Sequence, residues 1–393
     1  MDSGSSQTLT LNNIYNIISE ELDIPNSLYQ EAVEKYENLS SWLKQDHLEK
    51  YQSDAEIFPQ GSIRLGTSIR PIRKEDDYDV DLVYRRDIRR DSITQQQLKD
   101  DVGNQLKHYI QFLENSDEEV PNLIEGRRCW TLQYSERFHL DVLPALPDDE
   151  SETHNIRNIE DGLIITDKEV RAWQPSNPKG YADWFNEQQS VLLMEKRAIL
   201  AKEADVDVEN IPPERVPTPL RRAIQLLKRH RDIRYQGEPD DKPISIIIST
   251  LAAQSYQNEQ DVYSALCALI PTMKDKIEIR DGIFWVANPV NPANPGENFA
   301  DKWEANPQRA EAFFGWLHQV EEDLVRTSQQ VGLHKIAESL ELSYGKDVVQ
   351  SSMEKYGSIL DHQQQQGQLR MAKDTGVLGS VGIEVEKNTW YGK

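Results

Sequence analysis

The chain is poor in cysteine: 393 residues contain two, Cys129 and Cys267, too few for a disulfide scaffold or a cysteine-rich zinc module. It is also short of positive charge, with 44 Lys and Arg against 67 Asp and Glu and a net charge of −23. Such a surface repels nucleic-acid backbones and anionic lipid, which argues against a DNA-coating or membrane-surface protein but permits a local basic cleft. Long hydrophobic runs are missing. The longest, Ile244–Ala253, has ten residues and is interrupted by Ser245, Ser249 and Thr250, well below the roughly 18 residues of a membrane span. Residues 1–7 have neither the basic nor the apolar region of a secretion signal, so a cytoplasmic protein is expected. No internal repeat is visible. At roughly 150 residues per domain, the length suggests two or three domains, or two lobes sharing a cleft.

Residues 1–10 are polar and read as loose. From Asn26, the apolar positions Leu28, Ala32, Val33, Tyr36, Leu39, Trp42 and Leu43 recur at helical spacing, with Pro25 and Asn26 as the helix start. Phe58 to Ser62 reads as a turn. Asp79 to Tyr84 alternates polar and apolar residues, the period of a half-buried strand. Gln95–Glu114 reads as a helix. Cys129–Tyr134 and Phe138–Leu143 read as paired strands joined by residues 135–137. This order predicts an α+β fold with a mixed or antiparallel sheet rather than a βαβ repeat. Beyond Pro147 the spacing predicts helices over Asp183–Ala204, Leu220–Ile233, Ser245–Tyr256, Val262–Ile270, Ala305–Ser328 and Leu333–Leu342, and one short strand within Asp281–Val290. The break Ile211-Pro212-Pro213 marks a lobe boundary. The run Gln363–Gln366 and the Gly-rich stretch after Thr375 read as poorly ordered.

Asp79 and Asp81 are two apart on the strand, so they share a face about 6.5 to 7 Å apart, while Val80 and Leu82 anchor the other face. Paired carboxylates repel unless one takes a proton or a cation sits between them. Mg²⁺ or Mn²⁺, hard cations that take oxygen ligands, answers that need; an exposed acidic strand edge is the plain alternative. Two motif matches fail. Asp77-Tyr78-Asp79-Val80-Asp81 opens like an EF-hand loop, but Leu82 and Ile88 stand where Gly and Glu are required. Gly61 to Ser68 has the glycine spacing of a P-loop, but Thr67 stands at the lysine position. A third carboxylate, Asp141, lies in the strand-like Phe138-His139-Leu140-Asp141-Val142-Leu143. Beside the first strand it would complete a set able to hold two Mg²⁺ ions for an in-line phosphoryl displacement; alone it is a solvated strand residue. Gln60-Gly61-Ser62 lies 17 residues before Asp79, counted from Ser62. A Gly-Ser turn at a helix start offers backbone N–H groups and a hydroxyl to phosphate oxygens.

Together these pieces make the signature of a polymerase-β-type nucleotidyltransferase. The run Gln60-Gly61-Ser62-Ile63-Arg64-Leu65-Gly66-Thr67, then Asp79-Val80-Asp81, then Leu140-Asp141-Val142, closely resembles the bacterial cGAS-like nucleotidyltransferases (CD-NTases), relatives of cyclic GMP-AMP synthase and oligoadenylate synthase. Arg221 to Asp232, Pro243-Ile244-Ser245 and Asn288 to Trp303 resemble the helical half of that family. The resemblance implies a polymerase-β-like core with a helical, oligoadenylate-synthase-like C-terminal lobe. The expected division is a core over residues 1–210 including the N-terminal helix, a helical lobe over 211–375, and a tail over 376–393.

The implied activity joins nucleoside triphosphates, ATP among them, into a cyclic di- or trinucleotide with release of pyrophosphate. The product would be a second messenger in anti-phage (CBASS) signalling, acting on a downstream effector alongside accessory proteins. By the match, Asp79 and Asp81 hold the metal ions, Mg²⁺ or Mn²⁺, and Asp141 completes the catalytic and metal set and assists the attacking ribose hydroxyl. Gln60, Gly61 and Ser62 hold the donor triphosphate, and Lys228 and Ser245 contact it from the helical lobe. Neither a membrane nor stably bound DNA or RNA is expected. Some family members have their C-terminus conjugated to a partner; here Lys393 follows Gly392.

The residues support part of this independently. Arg215 to Tyr235 holds seven Lys and Arg against Asp232. On a helix, Arg221, Lys228 and Arg231 share one edge that could neutralise a triphosphate, while Arg222 and Arg229 read as a solvated face. Ser245 fits equally a helix N-cap after Pro243. His139 and His230 lack partners at ligand spacing and read as structural or solvated. The aromatic residues of Asn291 to Trp303 read as packing rather than base stacking. The competing functions are a template-independent nucleotidyltransferase acting on an RNA end or a small molecule, and a non-catalytic nucleotide-binding protein. The net charge argues against a long RNA acceptor.

Overall fold

The computed structural model describes residues 3–44, 55–73, 77–134, 138–148, 161–237, 239–290, 297–371, 378–379 and 383–385. The segment joining the paired strands (135–137) and the C-terminal residues 386–393 lie outside the described residues. No described helix is long and apolar enough to cross a membrane.

The first element corrects the expectation of a loose N-terminus: α1 spans Ser3–Glu21. Its stripe of Leu11, Ile14 and Ile18 recurs at helical spacing and continues in Leu22 just past its end, Tyr15 and Ile17 widen it, and all six are buried. Helix α2 (Asn26–Leu43) starts after Pro25 as the sequence predicts. The single turn expected over Phe58–Ser62 instead joins two elements, strand β1 (Ala55–Pro59) and the short helix α3 (Gly61–Leu65). Then follow β2 (Tyr78–Arg86), α4 (Gln95–Leu113), β3 (Asn122–Glu125), β4 (Trp130–Gln133), β5 (Phe138–Pro147), β6 (Leu163–Ile165) and β7 (Gln174–Ser176). Thr94 and Gln97 form a capping box that starts α4.

The sheet runs β1-β2-β5-β4-β3, with β6 on the far end of β5 and β7 beyond it. It is mixed, as expected: β2 and β5 are parallel and every other pair is antiparallel. Val80, Leu82 and Tyr84 of β2 and Leu140 and Val142 of β5 join Trp42 of α2 and Leu98, Val102 and Leu106 of α4 in one apolar core. Filling that face leaves the opposite face free for the polar residues at 79, 81, 139 and 141.

The helix expected over 183–204 is two, α5 (Pro178–Glu187) and α6 (Ser190–Ala204). The break sits at Gln189, whose buried side-chain oxygen accepts a hydrogen bond from Thr218. Helices α7 (Pro219–Arg234), α8 (Ser245–Ser255) and α9 (Val262–Met273) match their predicted spans. One expected strand is a hairpin, β8 (Glu278–Arg280) with β9 (Ile283–Trp285). Helices α10 (Lys302–Ala305), α11 (Pro307–Ser328), α12 (Leu333–Tyr344) and α13 (Lys346–Gln365) complete the helical half. The glutamine run expected to be loose closes α13, since unbranched glutamine is a good helix former. The described parts of the tail, β11 (Leu378–Gly379) and β12 (Ile383–Glu384), flank β10 (Arg370–Met371), and Leu378 packs on the helical core. Apolar packing crosses residue 210: α1 and Tyr181, Phe185 and Leu192 of α5 and α6 share one core with α7 to α13. Trp303 is buried in that core, a packing residue as expected.

Candidate active site

Parallel pairing sets Asp81 directly opposite Asp141 and Asp79 opposite His139. The two outer strand partners differ in kind. Thr131, opposite Asp141 on β4, donates its hydroxyl to Asp141 Oδ1 at 2.5 Å. Asp81 is crowded: burial, then the Asp141 charge, then the Asp79 charge push its carboxyl up to about 6. Gly61 lies against it. Its φ is +61°, and a Cβ there would stand 2.5 Å from Asp81 Oδ2, so backbone geometry and close approach both demand glycine. Gln60 enters through its backbone, with its N–H donating to the Asp81 carbonyl at 2.8 Å. Ser62 follows on α3, its Oγ accepting from Ser68 Oγ at 2.9 Å.

His139, read as structural or solvated, pairs with two aspartates. Its Nε2 lies 2.5 Å from Asp79 Oδ1 and its Nδ1 3.7 Å from Asp77, and the Asp79 hydrogen bond raises its pKa to about 9. The strand register carries this pair, which is invisible until β2 and β5 are aligned. His230 is structural as read, buried with Nε2 3.0 Å from Asp323 Oδ2.

The facing wall comes from α7 and α8. Lys228 reaches over to α3's exit loop, donating from Nζ to the Thr67 carbonyl and Oγ1, each at 3.0 Å. Burial, and then Arg231, bring its pKa down to about 7. Ser245 is the first residue of α8 rather than its N-cap, which is Ile244, and its Oγ accepts from Arg231 Nη1 at 2.8 Å. The other arginines differ from expectation. Arg221 points away from this edge and clamps the Leu65 and Val216 carbonyls and Asn186. Arg222 and Arg229, read as solvated, are buried: Arg222 pairs with Asp23 and Arg229 donates to the Arg70 carbonyl. A buried guanidinium must find acceptors, and backbone carbonyls at the seam provide them.

Between the walls lies a cleft of about 600 Å³. Gly61, Ser62, Asp79, Asp81, Lys228 and Ser245 line it, whereas Gln60 and Asp141 are not among its lining residues. Sequence reasoning missed Arg70, Arg73, Tyr78, Asp232, Tyr235 and Lys242, which also line it; no local motif marks them. The donor set suits a hard divalent cation, because Asp81 is a carboxylate crowded by two others. Among the described residues, however, no three His, Cys, Asp or Glu side chains stand in ligand geometry. Asp79 is instead engaged by His139, and Asp141 by Thr131.

Residues 9–189 match the Second Messenger Oligonucleotide or Dinucleotide Synthetase domain. The chain is 28% identical to the c-di-GMP synthase of Roseivirga ehrenbergii over 383 residues, 95% of each chain. The chain carries a nucleotidyltransferase domain over residues 9–189 and resembles the bacterial cGAS-like nucleotidyltransferases. This nucleotidyltransferase is also 25% identical to the cyclic dinucleotide synthase CdnG of Bradyrhizobium diazoefficiens, over 91% of its length and 85% of the relative's. The solved structure of that CD-NTase in complex with GTP superposes with a TM-score of 0.67 at 22% identity, covering 88% of the nucleotidyltransferase and 99% of the solved chain. The likeness covers the sheet and the helical half together, so the polymerase-β-like fold extends over both walls of the cleft.

Proposed function

We propose that this nucleotidyltransferase joins nucleoside triphosphates into a cyclic dinucleotide second messenger, GTP being a substrate, with release of pyrophosphate. The observation that carries the reading is the register of Asp81 against Asp141, set beneath Gly61 and Ser62 and facing Lys228 and Ser245 across one cleft. The relatives' names and the GTP in the CdnG structure favour guanine and a two-base product.

Asp79, Asp81 and Asp141 would hold Mg²⁺ or Mn²⁺, with Asp79 released from His139. A divalent cation there would stabilise charge on the attacking and leaving oxygens of an in-line displacement. The remaining roles belong to the protein. Gly61 lets the backbone approach the triphosphate, and Ser62, Lys228 and Ser245 donate to its oxygens. Asp141, aimed by Thr131, takes the proton of the attacking ribose hydroxyl. That oxygen bonds to the α-phosphorus as the bond to pyrophosphate breaks. A second transfer within the linear intermediate closes the ring. In the cell the product would signal phage infection to an effector, the role the family resemblance implies.

The test is chromatography of the purified chain with labelled triphosphates and Mg²⁺, followed by phosphatase. A phosphatase-resistant product that needs GTP, and that Asp79→Asn with Asp81→Asn abolishes, supports the reading. A labelled product that forms only with an added RNA or small-molecule acceptor refutes it in favour of a different transferase.

A further inference from the structure

Two serines face the cleft, and both are engaged from behind in the same sense. Ser62 Oγ accepts from Ser68 Oγ, and Ser245 Oγ accepts from Arg231 Nη1. A serine hydroxyl has one proton to give. With its oxygen occupied by an incoming donor, that proton turns elsewhere, and among the described residues neither hydroxyl has a protein acceptor. Lys228 follows the same pattern, since its two hydrogen bonds to Thr67 leave the third N–H of its ammonium over. Three cleft groups are therefore sorted as donors, a lining that suits an anion offering many acceptor oxygens.

We propose that Arg231 and Ser68 are positioning residues, which fix the hydroxyls of Ser245 and Ser62 as donors to the polyphosphate of the bound nucleotide. The inference rests on reading this cleft as the triphosphate site. Arg231 is built for the task. It is 5% exposed, its Nε and Nη2 hold Asp232 Oδ1 at 2.9 and 2.8 Å, and Nη1 also reaches the Pro243 carbonyl at 3.1 Å. Lys242 lies 3.3 Å from the same Asp232 oxygen. A guanidinium pinned at three corners cannot swing, and a lysine could not serve all these partners. Ser68 is steadied in turn, because Gln225 Nε2 donates to its carbonyl at 2.9 Å. Helix α7 thus sets both serines, one through Arg231 and the other through Gln225 and Ser68. Orienting a hydroxyl before the ligand arrives removes the cost of ordering it on binding.

The experiment measures calorimetric binding of a non-hydrolysable GTP analogue, with Mg²⁺, to the full chain and its variants. Ser245→Ala and Arg231→Lys should each weaken binding about fivefold. The double variant should be no weaker than the weaker single, since both changes remove one interaction. Ser68→Ala should weaken binding about threefold, and Ser68→Thr, which restores the hydroxyl, should recover it. Multiplying losses in the double variant would mean that Arg231 meets the phosphates itself, overturning its positioning role; unchanged binding in Ser68→Ala overturns the other half. Thermal melting checks folding, and if Arg231→Lys does not fold, the cycle of Ser68→Ala with Ser62→Ala decides by the same rule. No analogue binding by the unaltered chain sinks this inference together with the site reading. Binding without any cyclic product sinks the proposed product alone, and the cycles still decide the serines.

Discussion

Asp81, which the proposed activity requires, is costly to the fold. Its folded pKa of about 6 lies above the unfolded value of 3.8. The folded chain therefore holds the proton more tightly, and without divalent cation stability falls as pH rises from about 4 to about 6, then levels off. Asp81→Asn should abolish nucleotidyl transfer yet raise stability at pH 7 by about 1 to 3 kcal/mol, read by urea denaturation in a chelator, with the gain vanishing near pH 4. Gly61→Ala meets the same carboxylate from the other side. It should fold, because the nearest atoms an added Cβ meets all belong to the Asp81 side chain, but lose at least about tenfold in kcat/KM through a displaced Asp81. The shared face of Asp79 and Asp81 is legible in sequence because the strand period of two decides which way each points, while Gly61 is read from its Gly-Ser turn and Lys228 from its helical edge. His139 and the partners of Arg222 and Arg229 are not, since each answers to a residue distant in the chain.

Among elements, α7 is the least expected. Its composition suggests a wet, basic surface, yet thirteen of its residues, Pro219 to Arg231, are buried. Its arginines do the work of capping groups for chain that would otherwise end in bare carbonyls. Arg221→Ala should therefore cost about 2 to 4 kcal/mol in chemical denaturation, more than its lost charge would suggest, since the carbonyls of Leu65 and Val216 would each lose a donor, Val216 keeping the Thr218 N–H. Helices α2 and α4 were readable because their apolar stripes stand out from polar neighbours. Helix α1 was not, because its first residues are polar and its buried stripe begins only at Leu11. Once seen, it carries weight: Ile18→Ala should destabilise by about 2 to 5 kcal/mol, measured by the same method, because Ile18 is fully buried. Strands β3, β6 and β7 are too short, at three or four residues, for any period to show.

At the scale of the whole molecule, an acidic chain gathers several of its cations at one cleft. Arg70, Arg73, Lys228, Arg231 and Lys242 line the cleft in a protein of net charge −23. Ligands that bridge the two walls should stabilise the whole fold. Mg²⁺ with GTP should raise the melting temperature by several degrees, and Asp79→Asn with Asp81→Asn should remove most of that rise in a dye-free thermal scan. The two-walled plan was legible in the sequence as a sheet-forming stretch followed by helices. The packing of α1 on the helical half was not, because it rests on contacts between residues far apart in the chain.

That placement has a consequence for synthesis. Helix α1 lies against α7, α9 and α13, so a helix made early has its last neighbour made more than 300 residues later. The catalytic strands can pair once residue 147 has emerged, but the wall carrying Lys228 and Ser245 rests on a core still missing a side until α13 arrives. A nascent chain that lacks α13 thus holds its carboxylates over an unfinished cleft, and closure of that cleft waits for α13.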